Sequence, residues 1–98
     1  MKKLLILISL VLYVTSVFSQ DFKSKLEKAE NGNSTAQYQV GYIYHNGENG
    51  ISRNYAKARY WFEKAASKGN AAAAYYMGTY FYEGLGVDKN MHEAIKWF

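Results

Sequence analysis

Two stretches of this sequence follow one pattern: AQYQVGYIY at residues 36–44 and AAYYMGTYF at residues 73–81. The two copies lie 37 residues apart, and Gly47 and Gly84, which follow them, keep the same spacing. Self-similarity at a fixed period of roughly 20–50 residues is the signature of a repeat architecture, in which each repeat contributes one supersecondary unit. The sequence therefore predicts a repeat protein.

The match continues beyond these glycines at an offset of 36 residues. One additional residue in the first loop, within Glu48-Asn49, accounts for the change of offset. The matched pairs of this second half are Gly50 and Gly86, Ile51 and Val87, Asn54 and Asn90, Ala58 and Ala94, Trp61 and Trp97, and Phe62 and Phe98. Residues 34–69 and 70–98 are therefore predicted to be two units of one kind.

Each unit is predicted to consist of two helices. In the first unit, apolar residues at helical spacing place helix A at about residues 35–46 and helix B at about residues 55–68. Ser34 is predicted to cap helix A, with Gln37 completing a capping box, and Asn54 is predicted to cap helix B. The predicted core faces are Ala36, Val40, Ile43 and Tyr44 on helix A, and Tyr55, Ala58, Trp61, Phe62 and Ala65 on helix B.

Asparagine and glycine mark the ends and the contacts of these helices. Asn70 and Asn90 are predicted to cap the helices of the second unit, and Gly69 suits the left-handed position after helix B. Gly41 and Gly78 lie inside the predicted A helices, where glycine costs roughly 1 kcal/mol relative to alanine. The sequence therefore predicts that a neighbouring helix approaches both glycines too closely for a side chain.

The first residues of the chain have the pattern of an export signal. Two lysines precede an apolar run over residues 4–14, and Val17 and Ser19 fit the small-residue positions of a cleavage site. Residues 1–19 are therefore predicted to be a signal peptide cut after Ser19. The alternative is an uncleaved anchor, but the run is shorter than the roughly 20 apolar residues that span a bilayer. We expect a secreted or periplasmic protein with no stable membrane insertion after cleavage.

The segment between the signal and the first unit is predicted to be helical. Residues 22–30 have the pattern of a helix B, so residues 20–33 are assigned to an incomplete leading repeat. At the other end, Phe98 is the counterpart of Phe62, and helix B of the first unit continues for several residues beyond that position. The second unit is therefore predicted to be truncated. A fragment of a longer array without independent function is the alternative that this pattern raises.

Composition excludes several function classes. Two of the twelve basic residues lie within residues 1–19, so the rest of the chain carries ten basic and eight acidic residues, a net charge of +2. This charge is too small and too scattered for a nucleic-acid-binding surface. The chain has no cysteine, which excludes disulfides, thiol catalysis and cysteine-ligated metal sites.

A motif in helix B connects the chain with a known family. The run Ala-x-x-Trp-Phe-x-Lys-Ala-Ala-x-x-Gly is formed by Ala58, Trp61, Phe62, Lys64, Ala65, Ala66 and Gly69. Together with the pattern of helix A, it resembles the Sel-one-like repeat, a relative of the tetratricopeptide repeat, over residues 22–98. Asn54 and Asn90 depart from the family, which often has Asp there, and the first loop has one extra residue.

The resemblance implies an all-α fold, a right-handed α-solenoid of antiparallel helix pairs. This chain would contribute about two repeats, a partial leading helix and a truncated last helix. The family is used in adaptor, signalling and secretory quality-control proteins, and it has no common enzymatic activity.

The sequence offers no convincing catalytic set. His45 and His92 stand at non-equivalent repeat positions, whereas a zinc site takes three or four ligands. Glu83 and Asp88 flank the second turn, but Asp88 suits the start of the following helix. We therefore predict no enzymatic activity, no cofactor and no metal. A hydrolase acting on cell-wall or β-lactam substrates is the less favoured alternative.

Helix A carries the predicted partner-binding surface. The resemblance implies that this helix lines the concave side of the solenoid, where extended repeat arrays bind. Tyrosine suits such a surface because it combines apolar area with a hydroxyl at low entropic cost. Tyr38 and Tyr75 share a repeated position, which favours packing between units, whereas the other positions differ between units. The predicted contacts to a protein or peptide are Tyr38, Tyr42, His45, Tyr75, Thr79 and Tyr82, with Gln37 and Asn46 as polar neighbours.

Overall fold

The computed structural model describes residues 2–98, without the side chains at positions 2, 4, 15, 16 and 18. Within that range every regular element is an α-helix, and each helix packs on the next one along the chain. The elements are α1 (Lys2–Glu30), α2 (Ser34–Asn46), α3 (Tyr55–Ser67), α4 (Ala71–Glu83) and α5 (Met91–Trp97). Helices α2 and α3 are the predicted pair of the first unit, and α4 and α5 are the pair of the second. The predicted α-solenoid of helical repeats is confirmed.

Asparagine residues begin all four helices from α2 to α5. The side-chain oxygens of Asn33, Asn54, Asn70 and Asn90 each accept a hydrogen bond of 2.9 or 3.0 Å from the backbone N–H three residues later. The caps predicted at Asn54, Asn70 and Asn90 are confirmed. The cap predicted at Ser34 is wrong, because Asn33 has the extended backbone that a cap requires and Ser34 is already helical.

The capping box predicted at Gln37 is also wrong. Gln37 is only 3% exposed, and its Nε2 donates to the carbonyl oxygen of Ala29 over 3.1 Å. It lies next to Ala36 on the buried face of α2, so its side chain turns toward α1 and not toward its own N-terminus. Gln37 therefore joins α2 to α1, and it is not a neighbour of an exposed binding surface.

Left-handed glycines end α2 and α4. Gly47 has φ 71° and Gly84 has φ 74°, and their backbone N–H groups donate to Ile43 and Tyr80 over 2.8 Å. This geometry satisfies carbonyl groups that a helix end leaves unpaired. Each turn then leads into helix B of the same unit.

The core consists of two clusters that share α3. One joins α3 to α4, and the other joins α3 to α1 and α2. Their members are Ala58, Phe62, Ala65, Ala73, Met77 and Tyr80 in the first cluster, and Ala29, Ala36, Val40 and Trp61 in the second. Adjacent residues Trp61 and Phe62 thus serve two different interfaces. Of the predicted core faces, Tyr44 and Tyr55 are only half-buried, and the others are buried.

The two glycines inside the A helices lie against aromatic rings. A Cβ atom on Gly41 would stand 2.7 Å from Cδ1 of Phe62, and one on Gly78 would stand 2.5 Å from Cδ1 of Phe98. Both distances are shorter than real Cβ contacts. The predicted close approach is confirmed, and a ring of helix B is the group that makes it.

The predicted signal segment and the leading helix B form one helix, α1. Residues 15–21 contain neither proline nor glycine, so nothing interrupts the helix between the two segments. Residues 5–30 are long and apolar enough to cross a membrane, and none of their most apolar window is buried in the protein. A signal sequence near the N-terminus has the same properties. Met1 of the predicted signal lies outside the described residues.

Candidate functional site

Tyrosine rings on α2 and α4 form a continuous row across the boundary between the two units. The ring centroids of Tyr42 and Tyr38 are 6.1 Å apart, those of Tyr38 and Tyr76 are 6.3 Å apart, and those of Tyr76 and Tyr75 are 6.1 Å apart. Such separations lie in the range of favourable aromatic contacts. These four residues are called the tyrosine strip.

Tyr76 joins the two ends of the strip, because its ring contacts both Tyr38 on α2 and Tyr75 on α4. It was not predicted from the sequence. Its ring stacks on Phe62 with a centroid distance of 4.6 Å and an interplanar angle of 4°. The equivalent residue of the first unit is Gln39, so the repeat itself provides no signal. The spacing of Tyr76 from Ala73 and Tyr80, three and four residues, places it beside the buried face of α4. That helical spacing is the signal that would have found it.

The predicted contact residues differ in their accessibility. Tyr75 and Tyr82 are well exposed, at 62% and 54%, and Tyr42 is 37% exposed. Tyr38 and Thr79 are half-buried, and the Thr79 hydroxyl donates to the carbonyl oxygen of Tyr75 over 3.0 Å. Tyr42 and Tyr75 are therefore the most accessible residues of the strip, and Tyr82 lies two turns beyond Tyr75 on α4.

His45 lies behind the strip and not on the exposed surface where it was predicted. Its Nδ1 is 2.7 Å from the hydroxyl oxygen of Tyr80, and its ring centroid is 5.0 Å from that of Tyr76. Tyr80 is fully buried, and a buried hydroxyl needs a hydrogen-bond partner. His45 provides that partner for Tyr80, and its ring also packs against that of Tyr76.

Three titratable side chains of the strip and its support, His45, Tyr76 and Tyr80, have pKa values shifted toward their neutral forms. Burial lowers the pKa of His45 below its ordinary value of 6.5; Arg53 lowers it further, and Glu83 acts in the opposite direction. Burial also raises the pKa of Tyr80 and of Tyr76. These three side chains are therefore neutral near pH 7, and the charged groups beside the strip include Lys25 and Glu48.

The lowered pKa of His45 predicts that the protein becomes less stable in acid. The unfolded chain takes up a proton near pH 6.5, whereas the folded chain takes it up only at a lower pH. The stabilising contribution is therefore complete above about pH 6.5 and is lost as the pH falls through the folded pKa. Denaturant unfolding at a series of pH values measures this loss, and His45→Gln should flatten the profile. A variant with the same pH dependence as the parent would contradict the assignment.

A groove lies beside the Tyr42 end of the strip. It has a volume of about 170 Å³ and is lined by Lys25, Tyr38, Gln39, Tyr42, Ile43, Glu48 and Asn49. The lining combines tyrosine rings with polar side chains, as protein-binding surfaces do. Among residues 2–98, no group of three or more His, Asp or Glu side chains is arranged to hold a metal ion.

Residues 34–70 and 71–98 both match the family model of the Sel1 repeat. The chain belongs to the Sel1 repeat family. The resemblance inferred from the helix B motif is thus confirmed.

Two plant proteins are similar to this chain in sequence. The chain is 39% identical over 80 residues to the ERAD-associated E3 ubiquitin-protein ligase component HRD3B of Arabidopsis thaliana, covering 81% of this chain and 12% of HRD3B. It is 35% identical over 67 residues to HRD3A of the same plant, covering 68% of this chain and 10% of HRD3A. The chain therefore spans only about a tenth of these relatives.

Solved Sel1 repeat structures share the fold. A protective antigen of uropathogenic Escherichia coli strains, which displays the SLR fold, superposes with a TM-score of 0.72 at 32% identity, over 78% of this chain and 16% of that chain. A Sel1 repeat protein from Oxalobacter formigenes superposes with a TM-score of 0.74 at 32% identity, over 82% of this chain and 32% of that chain. Together with the relatives, these structures support a helical-repeat scaffold for contacts between proteins.

Proposed function

We propose that this Sel1 repeat chain binds a protein or peptide through the tyrosine strip, and that it has no catalytic activity of its own. The observation that carries the proposal is the unbroken row of tyrosine rings from Tyr42 on α2 to Tyr75 on α4. A row that crosses the unit boundary offers one surface long enough for an extended segment of a partner. Tyr82 extends this surface along α4, and His45 lies behind it against Tyr76 and Tyr80.

The chemistry of the strip favours a segment with apolar side chains and free backbone carbonyl groups. Apolar side chains pack on the ring faces, and tyrosine hydroxyls donate to carbonyl oxygens. The polar groups beside Tyr42, Lys25 and Glu48, carry opposite charges, so the rim does not select strongly for either sign. The role of the relatives as named components of a ubiquitin ligase agrees with a module that makes contacts between proteins.

Selection from a displayed peptide library tests this proposal. Peptides that bind the chain are expected to lose at least tenfold in affinity when Tyr42→Ser or Tyr75→Ser is introduced, since central aromatic side chains contribute most of the energy of such interfaces. Tyr60→Ser is the matched control, because Tyr60 is an exposed tyrosine, at 54%, that lies on α3 outside the strip. Peptides that tolerate the strip variants, or that depend equally on Tyr60, would place the binding surface elsewhere.

Export by cleavage after Ser19 is the second part of the proposal. The apolar residues of α1 from position 5 to 14 are exposed, as expected for a segment that makes no contribution to the core. Intact-mass measurement on protein recovered from outside the cytoplasm is expected to show Gln20 as the first residue. Ser19→Leu should slow this processing, because the cleavage site requires a small side chain. A recovered chain that retains residues 2–19 would contradict cleavage.

A further inference from the structure

A cavity of about 600 Å³ lies between the end of α1 and the second half of α3. Ala29, Glu30 and Gly32 line it from α1 and the turn that follows, and Gln37 lines it from the first turn of α2. The lining of this α1–α3 cavity contains none of the tyrosines of the tyrosine strip. It is therefore a surface separate from the proposed peptide site.

Gln37 brings an unsatisfied acceptor to the α1–α3 cavity. Its side chain is buried, and its Nε2 donates to the carbonyl oxygen of Ala29, which identifies the other amide atom as the oxygen. That atom, Oε1, is buried and accepts no hydrogen bond from the described residues. Buried polar atoms nearly always have a partner, so Oε1 marks a place for a donor. The repeat does not itself require glutamine here, since Ala74 is the equivalent residue of the second unit.

Two carboxylates of the cavity also lack partners. Glu30 lines the cavity from α1 and Glu63 lines it from α3. No ion pair among the described side chains involves either of them. The Ser67 hydroxyl donates over 2.8 Å to the backbone carbonyl of Glu63 and not to its carboxylate. The unmet polar groups of the two walls are therefore acceptors, like Oε1 of Gln37.

The cations of the cavity, in contrast, have partners. Nζ of Lys68 donates to the carbonyl oxygen of Gly32, and this bond joins α3 to the turn after α1. Nζ of Lys64 lies 5.0 Å from the centroid of the Tyr60 ring, within the range of a cation–π contact. The charge that remains unpaired in the cavity is therefore negative.

We propose that the α1–α3 cavity binds a guanidinium group, as in the side chain of arginine. This cation has five N–H donors and no acceptor, which matches acceptors on three separate elements, namely Glu30, Gln37 and Glu63. Its flat face packs on aromatic rings. Tyr60 and Trp61 both line the cavity, with their ring centroids 5.0 Å apart. A primary ammonium is compact and lacks such a face, so it fits this lining less well.

Titration of the full chain with Nα-acetyl-arginine amide, followed by two-dimensional NMR, tests this proposal. Saturable shifts are expected at the Trp61 indole N–H and at the side-chain amide of Gln37. Gln37→Met removes the buried acceptor at nearly constant volume and should weaken binding about tenfold, because hydrogen bonds to charged groups are strong. Glu63→Gln should weaken it about threefold, since this carboxylate is exposed. If Gln37→Met loses its dispersed spectrum, Glu63→Gln decides.

Two variants and one analogue serve as controls. Glu27→Gln changes a carboxylate of α1 that does not line the cavity, and it should leave binding unchanged. Tyr42→Ser on the tyrosine strip should also leave it unchanged, so the two binding proposals fail independently. Nα-acetyl-citrulline amide has the shape of the probe without its charge and should not bind. Free arginine distinguishes two sources of the group: tighter binding than the capped probe indicates the free amino acid, and otherwise the group belongs to a residue of a chain.

Three results would overturn the proposal. The first is the absence of saturable shifts with both arginine probes, or equal binding of the citrulline analogue. The second is arginine binding that Gln37→Met and Glu63→Gln leave unchanged. The third is tighter binding of Nα-acetyl-glutamate amide, since Lys64 and Lys68 would then select an anion.

Discussion

Replacing Phe62 by alanine is expected to abolish cooperative folding of the repeats. Phe62 is fully buried, and its ring contacts Tyr76, Tyr38 and the backbone of Gly41. Truncation of a buried phenylalanine costs about 3–5 kcal/mol, which equals the entire stability that a core of this size supplies. Denaturant unfolding followed by tyrosine and tryptophan fluorescence should lose its sigmoidal transition.

Phe98→Ala is the matched control for this variant. Phe98 occupies the same position of the second repeat but is mostly exposed, and changes at exposed sites usually stay within about 0.5 kcal/mol. A transition close to that of the parent is therefore expected. If Phe62→Ala and Phe98→Ala lost the same free energy of unfolding, burial of Phe62 under α4 would make no contribution to stability. That result would contradict the described core.

Gly41→Val is expected to destabilise the protein by about 2–3 kcal/mol. The first carbon of any side chain at this position meets the Phe62 ring at 2.7 Å, and that ring is fully buried and stacked on Tyr76. The ring therefore has no space to move, and overpacking of a filled core costs about 1–3 kcal/mol. The better helix propensity of valine relative to glycine offsets only a few tenths of a kcal/mol. The midpoint of urea unfolding measures the net effect.

Gly78→Val distinguishes the cost of packing against a fixed ring from the effect of helix propensity, because both glycines lie inside an A helix. The nearest atoms to Gly78 belong to Phe98, whose outer side is open, so this ring can turn away. Gly78→Val is expected to be nearly neutral. If Gly78→Val proved as destabilising as Gly41→Val, rigidity of the Phe62 ring would not be the cause.

These variants also bear on the proposed binding surface. Tyr76 stacks on Phe62 and contacts both Tyr38 and Tyr42, so the geometry of the tyrosine strip depends on the core beneath it. A loss of peptide binding in Phe62→Ala would thus report unfolding. The surface variants Tyr42→Ser and Tyr75→Ser are the ones that test recognition.

Features that depend on residues close together in the sequence, or on the internal repeat, were predictable from the sequence. The repeat period, the helix pairs and the caps at Asn54, Asn70 and Asn90 all follow from patterns within a few residues or from the internal copy. A cap bonds to a backbone group three residues away, so its partner is contained in the local sequence. The need for glycine at positions 41 and 78 is visible in the same way, since both interrupt an apolar helical pattern.

The outward faces of the helices were decided by the tertiary structure. His45 has no distinctive local pattern, yet Tyr76 and Tyr80 of α4 contact its ring and place it behind the tyrosine strip. Gln37 turns inward because the carbonyl group of Ala29 on α1 is within reach. Helical periodicity states which residues share a face, but the exposure of that face depends on where a distant helix crosses it. For this reason the sequence determined the repeat, and the tertiary structure determined which of its tyrosines remain available to a partner.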